Sequence, residues 1–522
     1  MNRGGMFSRI PEKLRENRNL LLLCVVSVFV WGMAAHGFAF SNLFWAHDAL
    51  NEFDAAVFGN AWQIRLGRVL VPLYRAVFRT AATFPWLIGL LALAWLGLTL
   101  FLTAKLFRMQ PGVLLFLAGG ILAVNSTVIA QTATYINWLD ENMFACLLAV
   151  LAVYFWRRSP AKGCLPGLLC VAGMLGLYQS YISTAITLIL MLLILDLLEK
   201  ADAAQVLRRG LWSLAMLAGG CAVYLGEVKL IQAATGQQMA DEFNAVGQAF
   251  SLFETDFVRN TVKAWLIGGG RYLLDESVYG WLGLAVRGVL LLSIAGFLLI
   301  GLLDRQLRPG AKLLLVLLAG AMPLGMTLVY VLTDGKAHDL TYYAIWLLTL
   351  FALLLGRWFV HRTGRQHRCR VMVPVMLLAA VFLWDHVQLA NMSYVERDME
   401  ADAAMAYYNR VLTRMEQQEA YQPGVTPVVL IGTPEEQLRI PEFAACSGGL
   451  VGMQYRVVPF AKVDYMGAYF RYVLQTPIAL PEKEEWNRIQ QSEFAQQMEA
   501  YPSPECIQMK DGVMLVKLGD RK

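Results

Sequence analysis

The feature that most constrains this chain is a series of apolar runs, each about 20 residues long. A run of this length can cross the hydrocarbon core of a bilayer, about 30 Å thick, as one helix. The 522-residue sequence is 57% hydrophobic and only 16% charged, whereas soluble domains are nearer one quarter charged. The chain is therefore predicted to be a polytopic membrane protein that contacts membrane lipids, and no nucleic-acid partner is expected.

About eleven spans are predicted, which gives an all-α membrane protein. The first run follows a basic flank and is too long for a cleavable signal sequence, so it is expected to remain as a signal anchor. Two of the runs are short for a span. The predicted spans are 20–40, 85–107, 111–130, 143–156, 165–177, 181–198, 211–231, 281–303, 313–333, 342–359 and 371–389.

The distribution of Lys and Arg predicts the orientation of these spans. Connections rich in Lys and Arg alternate along the chain with connections of a different composition. Because basic connections stay in the cytoplasm, the N-terminus is expected inside the cell membrane, and the tail from residue 391 is expected outside. The basic connections are the N-terminus, 105–108, 157–162, 200–209, 305–312 and 357–370.

The first outer connection, 41–84, departs from this rule because it carries four arginines. On one helix these arginines fall within an arc of about 80°, which predicts an amphipathic helix in the outer interface, bent at Pro72. Two interpretations are open: the arginines anchor the helix to lipid headgroups, or they bind a phosphate through planar, charge-assisted hydrogen bonds. Headgroup anchoring suits Arg75 and Arg79, whereas phosphate binding is favoured at Arg68 and less strongly at Arg65.

Three further outer segments carry groups that suit sugar chemistry. A carboxylate can take a proton from an attacking hydroxyl, and an arginine can stabilise a departing phosphate. Each segment also has a purely structural interpretation: a helix cap at Asp140, a tight hairpin with interfacial tyrosines, and a polar turn. The candidate residues are Tyr135, Asp140 and Glu141 in the first segment, Tyr178 and Gln179 in the second, and His338 and Asp339 in the third.

The tail, 391–522, has the composition of a small α+β domain. Helices are predicted near 396–418 and 481–499, a strand at "TPVVLIG", and a hairpin that turns at residues 510–512. Cys446 and Cys506 both lie in this outer tail, where disulfides persist, and they are predicted to pair. No spacing of Cys and His typical of a metal site occurs in the chain.

Several segments together resemble the Gtr-type (type II) glucosyltransferase-like family of integral membrane proteins. They are "NLFWAHDALNEF", "WQIRLGRVLVPLYR", "TATYINWLDENMFACLLAVLAVYFWRR" and "GLYQSYISTAITLIL". The order and spacing of the set carry the resemblance, most strongly over 20–198. It implies a GT-C type fold with an active site at the outer face. It also implies a polyprenyl-phosphate sugar donor, glucose most often, and a cell-surface glycan as acceptor.

In GT-C enzymes an acidic residue of the first outer loop is usually the base, which corresponds here to Asp48, with Asp54 as the alternative. His47 is expected to orient that carboxylate or the sugar, and the residues of the three outer segments to hold sugar hydroxyls. No cofactor is required, although a divalent metal is compatible with this chemistry. The expected organisation is a transferase domain over 1–390 and an extracytoplasmic domain over 391–522.

Two other function classes are open. A transporter or flippase of a lipid-linked sugar would also use arginines and aromatic rings, but it typically shows internal repeats or helices broken at corresponding positions, and no repeat is visible. A structural subunit of a polymer-synthesis complex would not need the outer acids and arginines.

Overall fold

The computed structural model describes residues 4–43, 50, 60–80, 83–238, 256–333, 335, 337–364, 368–432, 434 and 463–519. These residues form two compact units. The first unit consists of nearly all described residues up to Asn391. The second begins at Met392 and also includes Ala133–Tyr135 and the described residues of 42–59.

The first unit is almost entirely helical. Three 3₁₀ segments that matter below are Ile136–Trp138, Gln179–Tyr181 and Asp339–Thr341, and a fourth, Tyr343–Trp346, precedes α15. The helices, numbered in chain order, are α1 Gly4–Ser41, α2 Asn60–Arg65, α3 Val71–Phe78, α4 Pro85–Leu106, α5 Val113–Ala123, α6 Ser126–Thr134, α7 Leu139–Arg158, α8 Cys164–Leu177, α9 Ile182–Leu198, α10 Ala203–Thr235, α11 Asp256–Leu274, α12 Trp281–Leu303, α13 Pro309–Met326, α14 Leu328–Leu332, α15 Leu347–Thr363 and α16 Val373–Glu416.

The predicted fold class is confirmed. In the described part of the chain, nine helices are long and apolar enough to cross a membrane, and the bent pair α5–α6 gives a tenth. The remaining predicted span corresponds to α8, a shorter apolar helix. The protein is therefore a multi-pass membrane protein with a small α+β unit near its C-terminus.

The bent pair α5–α6 turns by 43° at Val124 and Asn125. The Asn125 amide donates to the Ile121 carbonyl at 3.1 Å, and its side-chain oxygen accepts from the Val128 N–H at 3.1 Å. One side chain thus satisfies groups of both helices where the main-chain ladder is interrupted. The asparagine stabilises a break that the hydropathy pattern does not reveal.

The expectation of one amphipathic helix through the four arginines is wrong. The helix ends at Arg65 and resumes at Val71 because Gly67 takes φ 76°. The Gly67 N–H donates to the Ile64 carbonyl at 2.9 Å, and the Arg68 N–H donates to the Gln63 carbonyl at 2.8 Å. This pair of hydrogen bonds is the Schellman motif, which terminates helices at glycine. Pro72 stands in the first turn of α3, where proline begins a helix rather than bending one.

The second unit contains a three-stranded sheet of β1 Val428–Ile431, β2 Ile507–Lys510 and β3 Val513–Lys517, in the order β1-β3-β2. β1 runs parallel to β3, and β2 pairs with β3 as the predicted antiparallel hairpin. Three short helices accompany the sheet: α17 Val463–Tyr472, α18 Lys483–Gln490 and α19 Glu493–Gln497. The buried core of the unit includes the strands, Trp486 and also Leu50 from the first connection.

The basic connections of the first unit meet at one end of the helix bundle. The C-terminal ends of α4, α7, α9 and α15 line a common cavity there. Arg157 at the end of α7 pairs with Asp196 near the end of α9 at 2.6 Å. We call this end the basic end, and the opposite end, which holds the first turns of α7 and α9, the polar end. On α7 alone the two ends lie roughly 25 Å apart, at 1.5 Å per residue.

Helix α10 packs closely on α8, and the contact depends on Gly220. A Cβ atom at Gly220 would lie 2.5 Å from the Val171 side chain, whereas one at Gly226 would meet nothing within 4 Å. We expect Gly220→Leu to lower the free energy of unfolding by about 1–3 kcal/mol through overpacking. The matched variant Gly226→Leu is expected to stay close to wild type. Unfolding in mixed micelles by SDS titration measures both, and equal losses would contradict this packing.

Candidate functional site

The predicted base Asp48, the alternative base Asp54 and His47 lie outside the described residues. The same is true of Cys446, so its pairing with the buried Cys506 remains a prediction. The described part of the site is built at the polar end of the first unit. It consists of a buried ion cluster, an arginine held between two rings, and a second set of acids.

The ion cluster joins α3 to the first turn of α7. Arg75 Nε contacts the Glu141 carboxylate at 3.0 Å, and Arg79 Nε contacts the Asp140 carboxylate at 2.9 Å. The side chains of Arg79 and Asp140 are both 0% exposed. The Tyr74 hydroxyl donates to Asp140 at 3.0 Å. Among the described residues, two cations thus face two anions in the interior.

Further contacts fix the orientation of this cluster. Arg79 Nη2 donates to the Asn137 carbonyl and also approaches Glu141 at 3.4 Å. The Trp95 indole N–H donates to the Tyr74 oxygen at 2.9 Å. Burial and the neighbouring Asp140 raise the pKa of the Tyr74 hydroxyl, so it remains a proton donor in this network. Both carboxylates also sit at the N-terminus of α7, where the helix dipole favours negative charge.

These contacts correct two structural expectations. Arg75 and Arg79 are buried and ion-paired, so they do not reach lipid headgroups. Helix α7 begins at Leu139, so Asp140 lies inside its first turn and does not cap a helix starting near residue 143. Asp140 and Glu141 are buried against arginines rather than lining an open cavity.

The turn between α2 and α3 is held by side chains from two other helices. The Gln179 amide donates to the Leu66 carbonyl at 3.1 Å and to the Tyr224 hydroxyl oxygen at 3.0 Å. The Tyr224 hydroxyl donates in turn to the Gly67 carbonyl at 2.9 Å. The Leu70 N–H donates to the Gly176 carbonyl at 2.9 Å. The backbone on both sides of Arg68 is therefore fixed.

Arg68 is half-buried, and its guanidinium lies against two aromatic rings. Its central carbon is 5.1 Å from the centre of the Trp138 ring and 4.6 Å from that of Tyr178. Its one side-chain hydrogen bond, 3.5 Å to Gln63, goes to a neutral amide. No carboxylate of the described residues pairs with it. Arg65, by contrast, is exposed and lies 5.6 Å from the Trp62 ring.

A row of rings continues from Arg68 into the bundle. Tyr178 contacts Tyr181 with ring centres 5.9 Å apart, and Tyr181 contacts Tyr343 at 5.3 Å. The Gln131 amide donates to the Leu340 carbonyl at 3.2 Å, in the segment that precedes Tyr343. The second and third of the segments predicted to lie outside are therefore neighbours in space.

The second set of acids surrounds Asp339. Its carboxylate pairs with Arg271, which lies 3.9 Å from Asp275. Asp275 accepts a hydrogen bond from Ser126 at the start of α6, and the Thr127 hydroxyl donates to the Asp339 carbonyl at 3.0 Å. Asp339 was predicted as a site residue from the sequence, but its partners Arg271 and Asp275 were not. The signal was present in "RYLLDE", where Arg271 and Asp275 stand four residues apart on one helical face.

Two carboxyl groups in this set, those of Glu276 and Asp339, have a raised pKa. Burial, and then the charge of Asp275, raise the pKa of Glu276. Burial raises the pKa of Asp339, against the opposing effect of Arg271. Perturbed carboxyls are typical of functional sites, although structural ion pairs also produce them. His338 is exposed, and its carbonyl accepts from the Thr341 N–H at 2.8 Å.

Tyr135 belongs to the second unit, where its electrostatic neighbour is Arg397. Arg397 also pairs with Glu400 at 3.0 Å. Across the described ranges, no group of three His, Cys, Asp or Glu side chains is placed to hold a metal ion.

A family model for the glucosyl transferase GtrII matches residues 37–360, which is more than half of the chain. The chain belongs to the GtrII glucosyl transferase family. Comparisons with curated proteins and with solved structures gave no significant match. With its apolar helices, this GtrII protein is a membrane glucosyltransferase. The ion cluster and Arg68 both fall inside the matched region.

The buried ion cluster of this glucosyltransferase predicts strong coupling between Arg79 and Asp140. Arg79→Met alone leaves a buried carboxylate uncompensated, and we expect it to lower the free energy of unfolding by about 3–5 kcal/mol. Asp140→Asn alone should also destabilise, and the double variant should lose clearly less than the sum of the two. SDS titration with a helicity readout measures all three. Strictly additive losses would contradict the pairing.

Proposed function

We propose that the protein transfers a sugar, glucose by its family, from a polyprenyl-phosphate donor to a cell-surface glycan at the extracytoplasmic face. The donor phosphate binds Arg68 at the polar end of the first unit, and the prenyl chain lies between membrane helices. The alternation of basic connections supports this orientation, because the polar end is then the outer end.

The observation that carries the proposal is the difference between Arg68 and its neighbours. Arg75 and Arg79 are neutralised by Glu141 and Asp140 inside the protein, whereas Arg68 is half-buried and has no acidic partner among the described residues. Its ring contacts orient the guanidinium plane without cancelling its charge. Such a group is suited to an anionic ligand that brings its own negative charge.

The surrounding residues then take positioning roles. Gln179 and Tyr224 hold the carbonyls of the turn that carries Arg68, so we propose that they orient it. We assign the same kind of role to Asp140 and Glu141, which anchor the following helix α3 through its arginines. The row of rings that begins at Tyr178 offers aromatic faces on which a sugar can stack.

The proposed chemistry is a single displacement with inversion. Asp48 takes the proton of the acceptor hydroxyl while the hydroxyl oxygen attacks the anomeric carbon of the sugar. The bond between that carbon and the phosphate oxygen breaks, and the phosphate leaves with an added negative charge. Arg68 stabilises this charge, with Arg65 as a weaker second contact. Asp54 remains the alternative base.

The acids around Asp339 supply a second part of the proposed site. Arg271 holds the Asp339 carboxylate, and the raised pKa of Glu276 suits a group that exchanges protons. We propose that this set and His338 bind hydroxyls of the sugar or of the acceptor.

One observation, the broken span α5–α6, would also suit the transporter alternative. Transporters built from repeats have broken helices at corresponding positions in both halves. The described residues contain one such pair, so the repeat pattern is not met. Movement of labelled donor across vesicles without any transfer of sugar would favour the transporter.

The phosphate role of Arg68 predicts a graded loss of transfer. We expect Arg68→Gln to lower the rate of transfer from polyprenyl-phosphate [14C]glucose by about 10²–10³-fold, as for loss of one donor to a developing anion. Arg68→Lys should recover part of the rate, because it keeps the charge but not the planar fork. Arg158→Gln, an exposed arginine at the basic end, is the matched control. Wild-type rates in Arg68→Gln would contradict the role.

The proposed base is tested separately in the same assay. Asp48→Asn should lower the rate of transfer to crude cell-wall glycan by about 10²–10⁴-fold. The purified variant should still bind the donor. Asp54→Asn tests the alternative base. If Asp48→Asn transfers at the wild-type rate and Asp54→Asn does not, the base is Asp54; if both transfer normally, the mechanism is wrong.

A further inference from the structure

The basic end of the first unit contains a cavity that the transfer reaction does not use. It has a volume of about 400 Å³ and lies where α4, α7, α9 and α15 end. This size falls within the range of small-molecule sites. The cavity is far from Arg68, since the first turn and the end of α7 are roughly 25 Å apart.

The walls of the cavity are apolar in one part and charged at the rim. Its apolar part comes from leucines of α9 and α15 together with Phe107 and Trp358. Its rim carries five Lys or Arg side chains against two carboxylates, so positive charge is in excess. The charged lining residues are Arg108, Arg157, Lys200, Arg357, Arg362, Asp196 and Glu199.

Two carboxylates near this cavity form ion pairs with arginines, and the third, Glu199, interacts electrostatically with Arg357. Asp196 pairs with Arg157 at 2.6 Å and with Arg209 at 2.8 Å, so one carboxylate serves two cations. Arg362 pairs with Asp304 at 2.8 Å. These contacts neutralise part of the positive charge on the rim of the cavity, and the rest stays on the other basic side chains.

The positive charge that remains is centred on Arg357 and Arg108. Arg357 Nη1 donates to the Arg108 carbonyl at 3.2 Å, and its Nη2 donates to the Phe107 carbonyl. Both are neutral acceptors, so these hydrogen bonds hold the guanidinium in place without cancelling its charge. Glu199 on the same rim offsets part of the charge. Arg108 itself takes φ 51°, an uncommon conformation for a residue other than glycine. Lys200, at φ 68°, adds a third cation on the same rim.

The helix ends do not remove this positive charge. Each C-terminus contributes about half an elementary negative charge, and the effect falls off within one turn. Four helices end at the cavity and together contribute about two elementary negative charges, so the five basic side chains still exceed the helix ends and the two lining carboxylates combined. Ordinary dipole compensation would not need a cavity with an apolar wall.

We propose that this cavity binds the phosphate headgroup of an anionic membrane lipid. The phosphate contacts Arg357, Arg108 and Lys200 at the rim, beside the apolar wall that the leucines of α9 and α15 form. Basic pockets between membrane helices are suited to such headgroups. The proposal stands independently of the transferase mechanism, because no residue of the cavity takes part in that mechanism.

The test is lipid retention by the purified full chain in neutral detergent. Phosphatidylglycerol and phosphatidylcholine are titrated separately, and native mass spectrometry counts bound lipid while a thermal shift reports stabilisation. We expect phosphatidylglycerol to bind more tightly than phosphatidylcholine. The double variant Arg357→Gln/Arg108→Gln should lose about tenfold or more of that affinity, since each basic residue near anionic lipid contributes about 1 kcal/mol. Lys200→Gln should show a smaller loss and disturbs no half-buried side chain.

The matched control is Arg158→Gln/Arg208→Gln, which removes two exposed arginines that do not line the cavity. It should retain phosphatidylglycerol as wild type does. Equal loss in the control, or equal binding of phosphatidylcholine, would overturn the proposal in favour of general surface charge. A further arm adds inorganic phosphate alone. Stabilisation by phosphate that disappears in the double variant, without any preference for phosphatidylglycerol, would make the ligand a soluble phosphate and overturn the lipid assignment.

Discussion

The pairing of Arg75 and Arg79 with Glu141 and Asp140 is the constraint on which the described site depends. Four charges are buried together at one end of a mainly apolar helix bundle. Burying charge is costly unless each group is paired and hydrogen-bonded, and here Tyr74 and the Asn137 carbonyl complete the set. The cluster ties α3 to α7 and thereby fixes where the preceding turn can lie.

That turn explains why arginines so close in sequence have different environments. Gly67 ends α2, and Gln179 and Tyr224 hold the carbonyls on either side of the break. The chain therefore does not continue as a helix, and Arg68 lies against Trp138 and Tyr178 instead of within the ion cluster. Two of the arginines are paired with buried carboxylates, and Arg68 is the one that we propose binds the donor phosphate.

At the basic end, too, some arginines pair with carboxylates and others do not. Asp196 is shared by Arg157 and Arg209, whereas the hydrogen bonds of Arg357 go to main-chain carbonyls and Glu199 lies near it without an ion pair among the described contacts. Carboxylates cancel the charge of an arginine, but carbonyls only position it. At each end of the bundle, the arginines that form no ion pair within the described part of the chain are therefore the candidates for phosphate.

Hydropathy was sufficient to predict the spans, because the bilayer imposes length and composition directly. The hairpin of the C-terminal unit was equally readable from Asp511 and Gly512, since few residues adopt that turn. The prediction of one helix through the four arginines was wrong because it placed them at a constant angle per residue, which assumes a continuous helix. The glycine in "RLGR" was the signal that the helix ends there. The set around Asp339 joins residues more than 60 positions apart, and no local pattern contains such a pairing.

The most direct test of the account is an experimental structure of the purified protein with polyprenyl phosphate bound. The account predicts phosphate density within hydrogen-bond distance of the Arg68 guanidinium, beside Trp138 and Tyr178, with the Arg79–Asp140 pair intact. Phosphate bound instead by Arg75 or Arg79, with Glu141 and Asp140 released from their partners, would contradict it.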